Sequence, residues 1–135
     1  MFYDLVSMKR NPDAEAMGKT LGFGKIFFLE DLEKLGVVEG KNEGTNRRVV
    51  EEKKTKIIMN PQQEERNDRL HYRSSGLNQV ICGLAHERNI AIAMSLDQLQ
   101  DAKTMGRAMQ NIRLCRKYKV KMLFCSGATS VYGMR

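Results

Sequence analysis

The sequence predicts an α/β protein built from parallel βα units, a TIM-barrel-like fold that is reduced or incomplete, with about six strands. Two short, nearly continuous apolar runs, at 90–94 and 122–125, have the composition of strands buried on both faces. The segment between them is long enough for a helix, and strands that alternate with helices form parallel sheets. The third observation is length. The 135 residues suit a single domain, 1–135, whereas a closed barrel takes about 200 or more.

Capping residues and apolar runs place the elements of the first half of the chain. Asn11 and Pro12 suit an N-cap and a first helical position, and Gly36 suits the end of a helix. We therefore predict, in order, a strand over 2–6, a helix from Pro12, a strand over 25–29, a short helix over 30–35, a strand from Val37, a helix from 46 to about 53 capped by Thr45 or Asn46, and a strand over 55–59.

The second half repeats this alternation after a polar segment. Residues 61–73 are rich in charge and poor in apolar side chains, and loops of this length are usually functional or mobile. Ser95 and Gln98 match a capping box. The prediction is therefore a helix capped by Ser74 or Ser75, the strand at 90–94, a long helix that opens at the capping box, and the strand at 122–125.

The segment of that long helix carries most of the net positive charge of the chain. Between Asp101 and Lys121 there are seven Lys or Arg and one acid, a balance of +6 out of a formal +7 for the whole chain. An apolar stripe is predicted to face the core, and the cations fall mainly on the opposite side. The predicted stripe is Met105, Ala108, Met109, Ile112 and Cys115, and the predicted opposite side is Lys103, Arg107, Arg113 and Lys117.

The concentration of charge indicates a polyanion partner. Lys and Arg bind RNA by neutralising phosphates, which makes affinity strongly salt-dependent. The alternative is a solvated helix face, although such a face normally mixes both signs. Arg116 lies near the apolar stripe, where the alternative is a buried ion pair. The predicted RNA contacts are first Arg107, Arg113, Arg116, Lys117 and Lys119, and then Arg47, Arg69 and Arg73 from two upstream clusters that acidic residues dilute.

Candidate catalytic residues are sparse. Active sites of TIM-like barrels lie at the carboxyl ends of strands. Those positions here do not supply a nucleophile with a base, or the three ligands and open position of a hydrolytic metal site. We therefore predict no catalytic residues and no metal ligands. The residues at the predicted strand ends are Ser7, Glu39, Asn60, Ser95 and Ser126.

Three residues are candidate phosphate contacts. Asn78 follows a glycine at a predicted helix start, and helix N-termini attract anions, although such a residue is more often only a cap. Ser126 and Gly127 begin the segment SGATS, which would serve as a phosphate cradle. An alternative function is therefore a degenerate barrel enzyme acting on a phosphorylated small molecule. A further alternative is a scaffold whose basic face meets an acidic protein.

Several blocks of the sequence point to one family. They are RSSGLNQV at 73–80, IAIAMSL at 90–96 and NIRLCRKYKVKMLFCSGA at 111–128, with a weaker match formed by VVEG at 37–40 and NRRVVEEKKTKIIMNP at 46–61. Together they resemble the thirty-kilodalton subunit family of ribonuclease P, whose archaeal member is protein component 3. The resemblance implies a TIM-barrel-like fold and a non-catalytic, RNA-binding subunit of an endoribonuclease that matures the 5′ end of precursor tRNA.

The resemblance also implies partners. They are the ribonuclease P RNA, precursor tRNA indirectly, and a small companion protein subunit. Mg²⁺ would be bound by the RNA of the holoenzyme, and the protein itself would hold no cofactor.

Set against the family, the chain lacks one βα unit between its second and third strands, and it lacks a last helix and strand. We hypothesise that a second copy, a partner subunit or the tail at 131–135 covers the strand edges that remain. The sequence contains no apolar run long enough to span a membrane and no leader, so we expect a cytoplasmic protein.

Overall fold

The computed structural model describes residues 2–63, 67–68 and 70–134, and every strand pair in it is parallel. The strands of the described residues are β1 (Phe2–Leu5), β2 (Phe23–Phe27), β3 (Val37–Glu39), β4 (Ile57–Met59), β5 (Ala91–Ser95) and β6 (Met122–Cys125). The α-helices are α1 (Pro12–Thr20), α2 (Leu32–Leu35), α3 (Glu43–Glu51), α4 (Gln79–Glu87) and α5 (Ala102–Tyr118). The predicted α/β class and the six strands are confirmed.

The strand order is that of part of a barrel. β1 pairs with β2, and a second sheet has the order β3-β4-β5-β6. Hydrogen bonds just beyond the ends of β1 and β6 join the two sheets. The N–H of Ser7 donates to the carbonyl of Ala128 at 2.8 Å, and the N–H of Gly127 donates to that of Leu5 at 3.1 Å. Among the described residues, β2 and β3 are therefore the open edges, and the gap lies where the sequence predicts a missing βα unit.

Two layers of apolar side chains cover the faces of the four-stranded sheet. The outer layer packs the sheet against α3, α4 and α5, and its fully buried members include Val50, Ile58, Ile81, Ile92 and Met94. The inner layer takes side chains from five strands, two of them from β4, and α2 adds two leucines that pack against it. Its members are Leu5, Val37, Ile57, Met59, Ala93 and Cys125, with Leu32 and Leu35 from α2.

A third apolar cluster holds the C-terminal segment. Met134 is buried and packs with Ala14, Ile26 and Phe28 of the β1–α1–β2 region. The described part of the tail therefore covers the outer side of that region. No helix of the described residues is long and apolar enough to cross a membrane.

The predicted cap of α1 is confirmed, and the predicted starts of the three later helices are wrong. Asn11 accepts a hydrogen bond from the N–H of Ala14 at 2.7 Å. The later caps are Asn42, Asn78 and Asp101, each of which accepts from the N–H three residues ahead at 2.7–2.9 Å. Ser95 was the predicted cap of α5, but its hydroxyl is bonded to Asn60.

Candidate nucleic-acid interface

The basic helix α5 is the most strongly charged element of the structure. Asp101 caps its N-terminus, and Lys119 ends it in a left-handed conformation with φ of 57°. Arg116 and Lys117 lie in the last turn, where the negative end of the helix dipole favours cations. The sequence therefore favours the start of this helix, and it places cations at the end where the dipole favours them, although Gly or Asn is the usual residue at a left-handed end.

Four of the five predicted contacts on this helix form one exposed group. Arg113, Arg116, Lys117 and Lys119 are all exposed, and we call them the α5 cation cluster. Within the described part of the chain, none of the four forms an ion pair. Arg116 is exposed, so the alternative of a buried ion pair at that residue is wrong. The cluster can therefore neutralise an external polyanion without first breaking internal ion pairs.

The fifth predicted contact, Arg107, is on the wrong side of the helix. Its side chain is 4% exposed, and its Nε donates to Oδ1 of Asp68 at 2.9 Å. It also donates from Nη1 to the carbonyl oxygen of Gln62 at 3.3 Å. The charge of Arg107 is therefore used inside the fold, to hold the segment before α4 against α5.

The buried face of α5 is rotated relative to the predicted stripe. Met105 and Met109 were predicted to face the core, but they are 44% and 49% exposed. Arg107 and Asn111 are buried instead, and Asn111 donates to the carbonyl oxygen of Ser75 at 3.0 Å. Polar contacts with the preceding segment set the rotation of the helix. The prediction from hydrophobic periodicity did not include these contacts, because the spacing of apolar residues contains no information about polar contacts with distant segments.

The upstream predicted contacts are less favourable for binding a polyanion. Arg47 is 60% exposed, but its Nε lies 3.7 Å from a carboxylate oxygen of Glu51. Arg73 is 50% exposed and lies 3.3 Å from the second carboxylate oxygen of Asp68. Arg69 lies outside the described residues. Neutralisation by neighbouring acids reduces what Arg47 and Arg73 can offer to phosphate.

The predicted phosphate contacts are occupied by the protein itself. Ser126 donates from its N–H and its hydroxyl to the carboxylate of Asp4, at 2.7 and 2.6 Å, and both residues are buried. An internal carboxylate therefore holds the place that a phosphate would take. Gly127 is also buried and has φ of 62°, and a Cβ there would lie 2.3 Å from the Cβ of Ser95. The prediction of a phosphate cradle at these residues is wrong.

Asn78 is engaged in the same way. Its amide oxygen accepts from the N–H of Ile81 at 2.9 Å, and its amide nitrogen donates to Glu43 at 3.1 Å. Both functional atoms of the side chain serve the start of α4. The simple cap is thus the observed role.

The carboxyl ends of the strands form paired polar contacts. Besides the Asp4–Ser126 pair, Asn60 bonds Ser95 at 2.9 Å, and Gln63 donates to Glu39 at 2.7 Å. Burial raises the pKa of Glu39, and the hydrogen bond from Gln63 opposes that effect.

Cys125, the last residue of β6, carries a free thiol, which is a possible nucleophile. Burial, together with the nearby charge of Asp4, raises the pKa of its thiol to about 12. The thiol is therefore protonated at neutral pH, and a protonated thiol is a poor nucleophile. The described residues contain no group of three His, Cys, Asp or Glu that could hold a metal ion.

No family model matches the chain. Ribonuclease P protein component 3 of Methanococcoides burtonii is 34% identical over an alignment of 104 residues, and the alignment covers 73% of this chain and 40% of that protein. The protein of the same name from Methanosarcina mazei is 32% identical over an alignment of 105 residues, which covers 73% of this chain and 41% of that protein. The chain thus spans about two fifths of the length of these curated relatives.

A solved structure shares the fold. A chain in the cryo-EM structure of archaeal Ribonuclease P with mature tRNA aligns with a TM-score of 0.62 and 16% sequence identity. The alignment covers all of this chain and 68% of that chain. This likeness shows the fold.

The fold and the α5 cation cluster define a class: an open, TIM-barrel-like α/β protein with an exposed basic helix face. The predicted resemblance is also confirmed. Over 73% of its length, this chain is a homologue of ribonuclease P protein component 3.

Proposed function

We propose that the chain is a non-catalytic, RNA-binding protein subunit of ribonuclease P that assists the RNA-catalysed maturation of the 5′ end of precursor tRNA. The observation that carries this proposal is the α5 cation cluster, exposed and without ion pairs among the described residues, in a homologue of ribonuclease P protein component 3. A cation without an internal partner gains the full benefit of contact with a phosphate. For the same reason, each contact releases a counterion and makes binding salt-dependent.

In this proposal the protein stabilises a folded form of the RNA. The cluster lies on one long helix whose buried face is fixed by the sheet and by the Arg107–Asp68 pair, so its charges are held in a defined arrangement. A fixed array of charges favours those RNA conformations whose phosphates match it. Hydrolysis would be performed by the RNA and its bound Mg²⁺, and the protein would hold no cofactor of its own.

The proposed partners are the ribonuclease P RNA, precursor tRNA indirectly, and a small companion protein subunit, with a second copy of this chain as the alternative protein partner. We propose the cytoplasm as its place of action. The alternative of an enzyme acting on a phosphorylated small molecule is not favoured, because the Asp4 carboxylate fills the cradle on which it depends.

The test is binding to a structured ribonuclease P RNA across a salt series, with tRNA as the control RNA. We expect tighter binding to the first RNA and a steep loss of affinity with salt. In the double variant Arg113→Glu with Lys117→Glu, affinity should fall, and the slope of log affinity against log salt should decrease by roughly 1–2 because two phosphate contacts are lost.

A matched control keeps the net charge change but moves it away from α5. Lys19 and Lys34 are exposed on α1 and α2, so Lys19→Glu with Lys34→Glu changes the net charge by the same amount. This control should bind like the native chain. Equal losses in both double variants would mean that only net charge matters, and an unchanged slope in the α5 variant would remove the cluster from the interface.

A further inference from the structure

A groove beside the α5 cation cluster has aromatic walls. It has a volume of about 530 Å³ and lies between the start of α4 and the second half of α5. Its lining includes Tyr72, Leu77, Gln79, Leu114, Lys117 and Tyr118. The two tyrosines come from different parts of the chain, one from the segment before α4 and the other from the last turn of α5. Neither wall is fully covered, since Tyr72 is 45% exposed and Tyr118 is half-buried.

The groove is shaped by hydrogen bonds within the protein. Gln110 accepts from the N–H of Arg73 at 3.0 Å and donates to the carbonyl oxygen of Arg73 at 2.9 Å, so the residue next to Tyr72 is bonded twice to α5. Gln110 also donates to the hydroxyl of Ser75 at 2.9 Å. These bonds hold the segment 73–75, on one side of the groove, against α5 on the other. A ligand would therefore spend little free energy on ordering the site.

The chemistry of the lining suits a flat, partly apolar ring that carries hydrogen-bonding groups. Tyrosine faces stack on nucleobases, and proteins recognise RNA mainly at bases that are unpaired. Leu77 and Leu114 add apolar contact area, and the amide of Gln79 adds a donor that can reach a base edge. A nucleobase provides the matching surface: two flat faces and a polar edge.

The cations at the groove suit the phosphate of the same nucleotide. The Lys117 ammonium lies 5.6 Å from the centre of the Tyr118 ring. Arg113 is one turn earlier on the same side of α5, at the spacing that makes helical neighbours. A carboxylate, that of Glu43, also lines the groove, and it disfavours a free anion there while it can accept hydrogen bonds from base amino groups. A nucleotide bound with its base in the groove and its phosphate at the rim would place the base near the Glu43 carboxylate and the phosphate near the Lys117 and Arg113 cations.

We propose that this groove binds one unpaired nucleobase of the RNA partner, stacked against Tyr72 and Tyr118, with the adjoining phosphate on Lys117 and Arg113. This inference rests on the proposed function, because it assumes an RNA ligand. It adds a base-dependent contact to a surface that otherwise reads only phosphate charge.

The experiment compares a short single-stranded RNA with an abasic backbone of the same length and charge, both at low salt. The native chain should bind the base-containing strand about 10-fold more tightly, which is within the range for stacking one base on an aromatic side chain. Tyr72→Ala should reduce that ratio toward one, and Tyr72→Phe should keep it because the ring remains. Tyr132 is 97% exposed and does not line the groove, so Tyr132→Ala is the matched control and should bind like the native chain.

Photo-cross-linking of a 5-bromouridine strand gives a second readout that needs no variant. We expect cross-links at Tyr72 or Tyr118, and cross-links confined to Tyr3 or Tyr132 would overturn the proposal. A ratio of one in the native chain, or a ratio unchanged by Tyr72→Ala, would also overturn it. If one of these results is obtained and the chain still binds structured ribonuclease P RNA with a steep salt dependence, the base-binding groove is rejected and the proposed function is retained. If the chain binds neither the single-stranded RNA nor the structured RNA, both the groove and the proposed function are rejected.

Discussion

At the scale of single residues, Arg107 shows how the environment decides what a charge does. It has the same sequence signal as Arg113, since both are arginines on a basic helix with no acid nearby in the chain. Arg107 is 4% exposed and paired with Asp68, whereas Arg113 is exposed. One arginine is therefore structural and the other is available to a ligand. The sequence could not separate them, because Asp68 lies 39 residues away.

The two arginines should differ in their effect on stability. Arg107→Ala leaves Asp68 and the carbonyl oxygen of Gln62 without their donor, and breaking a buried pair costs about 3 kcal/mol or more. Asp68 is 24% exposed, so we expect the low end of that range for the loss in free energy of unfolding. Arg113→Ala should stay within about 0.5 kcal/mol of the native chain, as surface substitutions usually do. Urea denaturation of both variants measures the difference, and equal losses would refute a structural role for Arg107.

The same pair should make stability depend on pH. Partial burial alone would raise the pKa of Asp68, but hydrogen bonds from the Ser74 N–H and from Arg107, with the charges of Arg107 and Arg73, lower it below its ordinary value of 3.8. A lowered pKa in the folded state means that the stabilisation is complete above pH 3.8 and is lost as the pH falls through the lower value. Asp68→Asn should therefore remove part of the loss of thermal stability that the native chain shows as the pH falls below 3.8. An unchanged pH profile in that variant would show that other carboxylates are responsible.

At the scale of elements, the entry into α4 depends on one glycine. Gly76 has φ of +81°, and a Cβ there would lie 1.7 Å from the carbonyl oxygen of Pro61. Asn46 donates to the carbonyls of both Gly76 and Pro61, at 2.8 and 3.1 Å, so three segments converge at this point. Movement of a side chain would not relieve this clash, because the nearest obstacle is the backbone of Pro61.

Gly76→Ala should therefore destabilise the chain by roughly 3 kcal/mol or more, since it combines a strained backbone with a steric clash. Gly83 lies inside α4, and a Cβ added there would meet nothing within 4 Å, so this glycine offers a matched control. Gly83→Ala should raise the free energy of unfolding by up to about 1 kcal/mol through helix propensity. Opposite shifts in melting temperature for these two substitutions in the same region are the expected result. A shift in the same direction would mean that the backbone at Gly76 relaxes more easily than its contacts indicate.

The elements also show what the sequence can and cannot predict. The apolar runs of β5 and β6 and the Asn11–Pro12 start of α1 are local signals, and they were predicted correctly. The later helix starts were not, because several Ser, Asn and Asp residues near each start are equally good caps. Tertiary contacts decide among them: the Ser95 hydroxyl is bonded to Asn60, which leaves Asp101 as the cap of α5. Four of the five cations predicted as contacts on α5 are exposed, as charged side chains usually are, but the burial of Arg107 and the rotation of α5 depend on contacts that are distant in sequence.

At the scale of the whole molecule, the structure leaves apolar side chains exposed on two neighbouring strands. Phe2 and Tyr3 of β1 are 76% and 55% exposed, and Leu123 and Phe124 of β6 are 44% and 53% exposed. The bonds at Ser7 and Gly127 join the two strands just beyond their carboxyl ends. Successive residues of a strand point to opposite faces, so each of the two strands exposes one of these side chains on each of its faces. Apolar side chains exposed in a patch usually mark a contact with another protein. We therefore hypothesise that a partner covers β1 and β6, which lie next to each other and away from the open edges at β2 and β3.

Phe124→Ser tests that hypothesis. Because the ring is already 53% exposed in the isolated chain, the free energy of unfolding should fall by only about 1 kcal/mol, less than for a fully buried phenylalanine. If a partner covers the ring, its removal should weaken association by at least about 5-fold, the loss expected when a buried aromatic anchor is truncated. Light scattering at micromolar concentration measures self-association, and calorimetric titration with the small companion subunit of ribonuclease P measures the other case. Leu70 is 92% exposed and lies outside these strands, so Leu70→Ser is the control and should associate like the native chain.

A native chain that stays monomeric, with equal affinity of both variants for the companion subunit, would show that this surface has no partner. The open edges at β2 and β3 lie away from this surface, and their short length of five and three residues limits pairing with another chain.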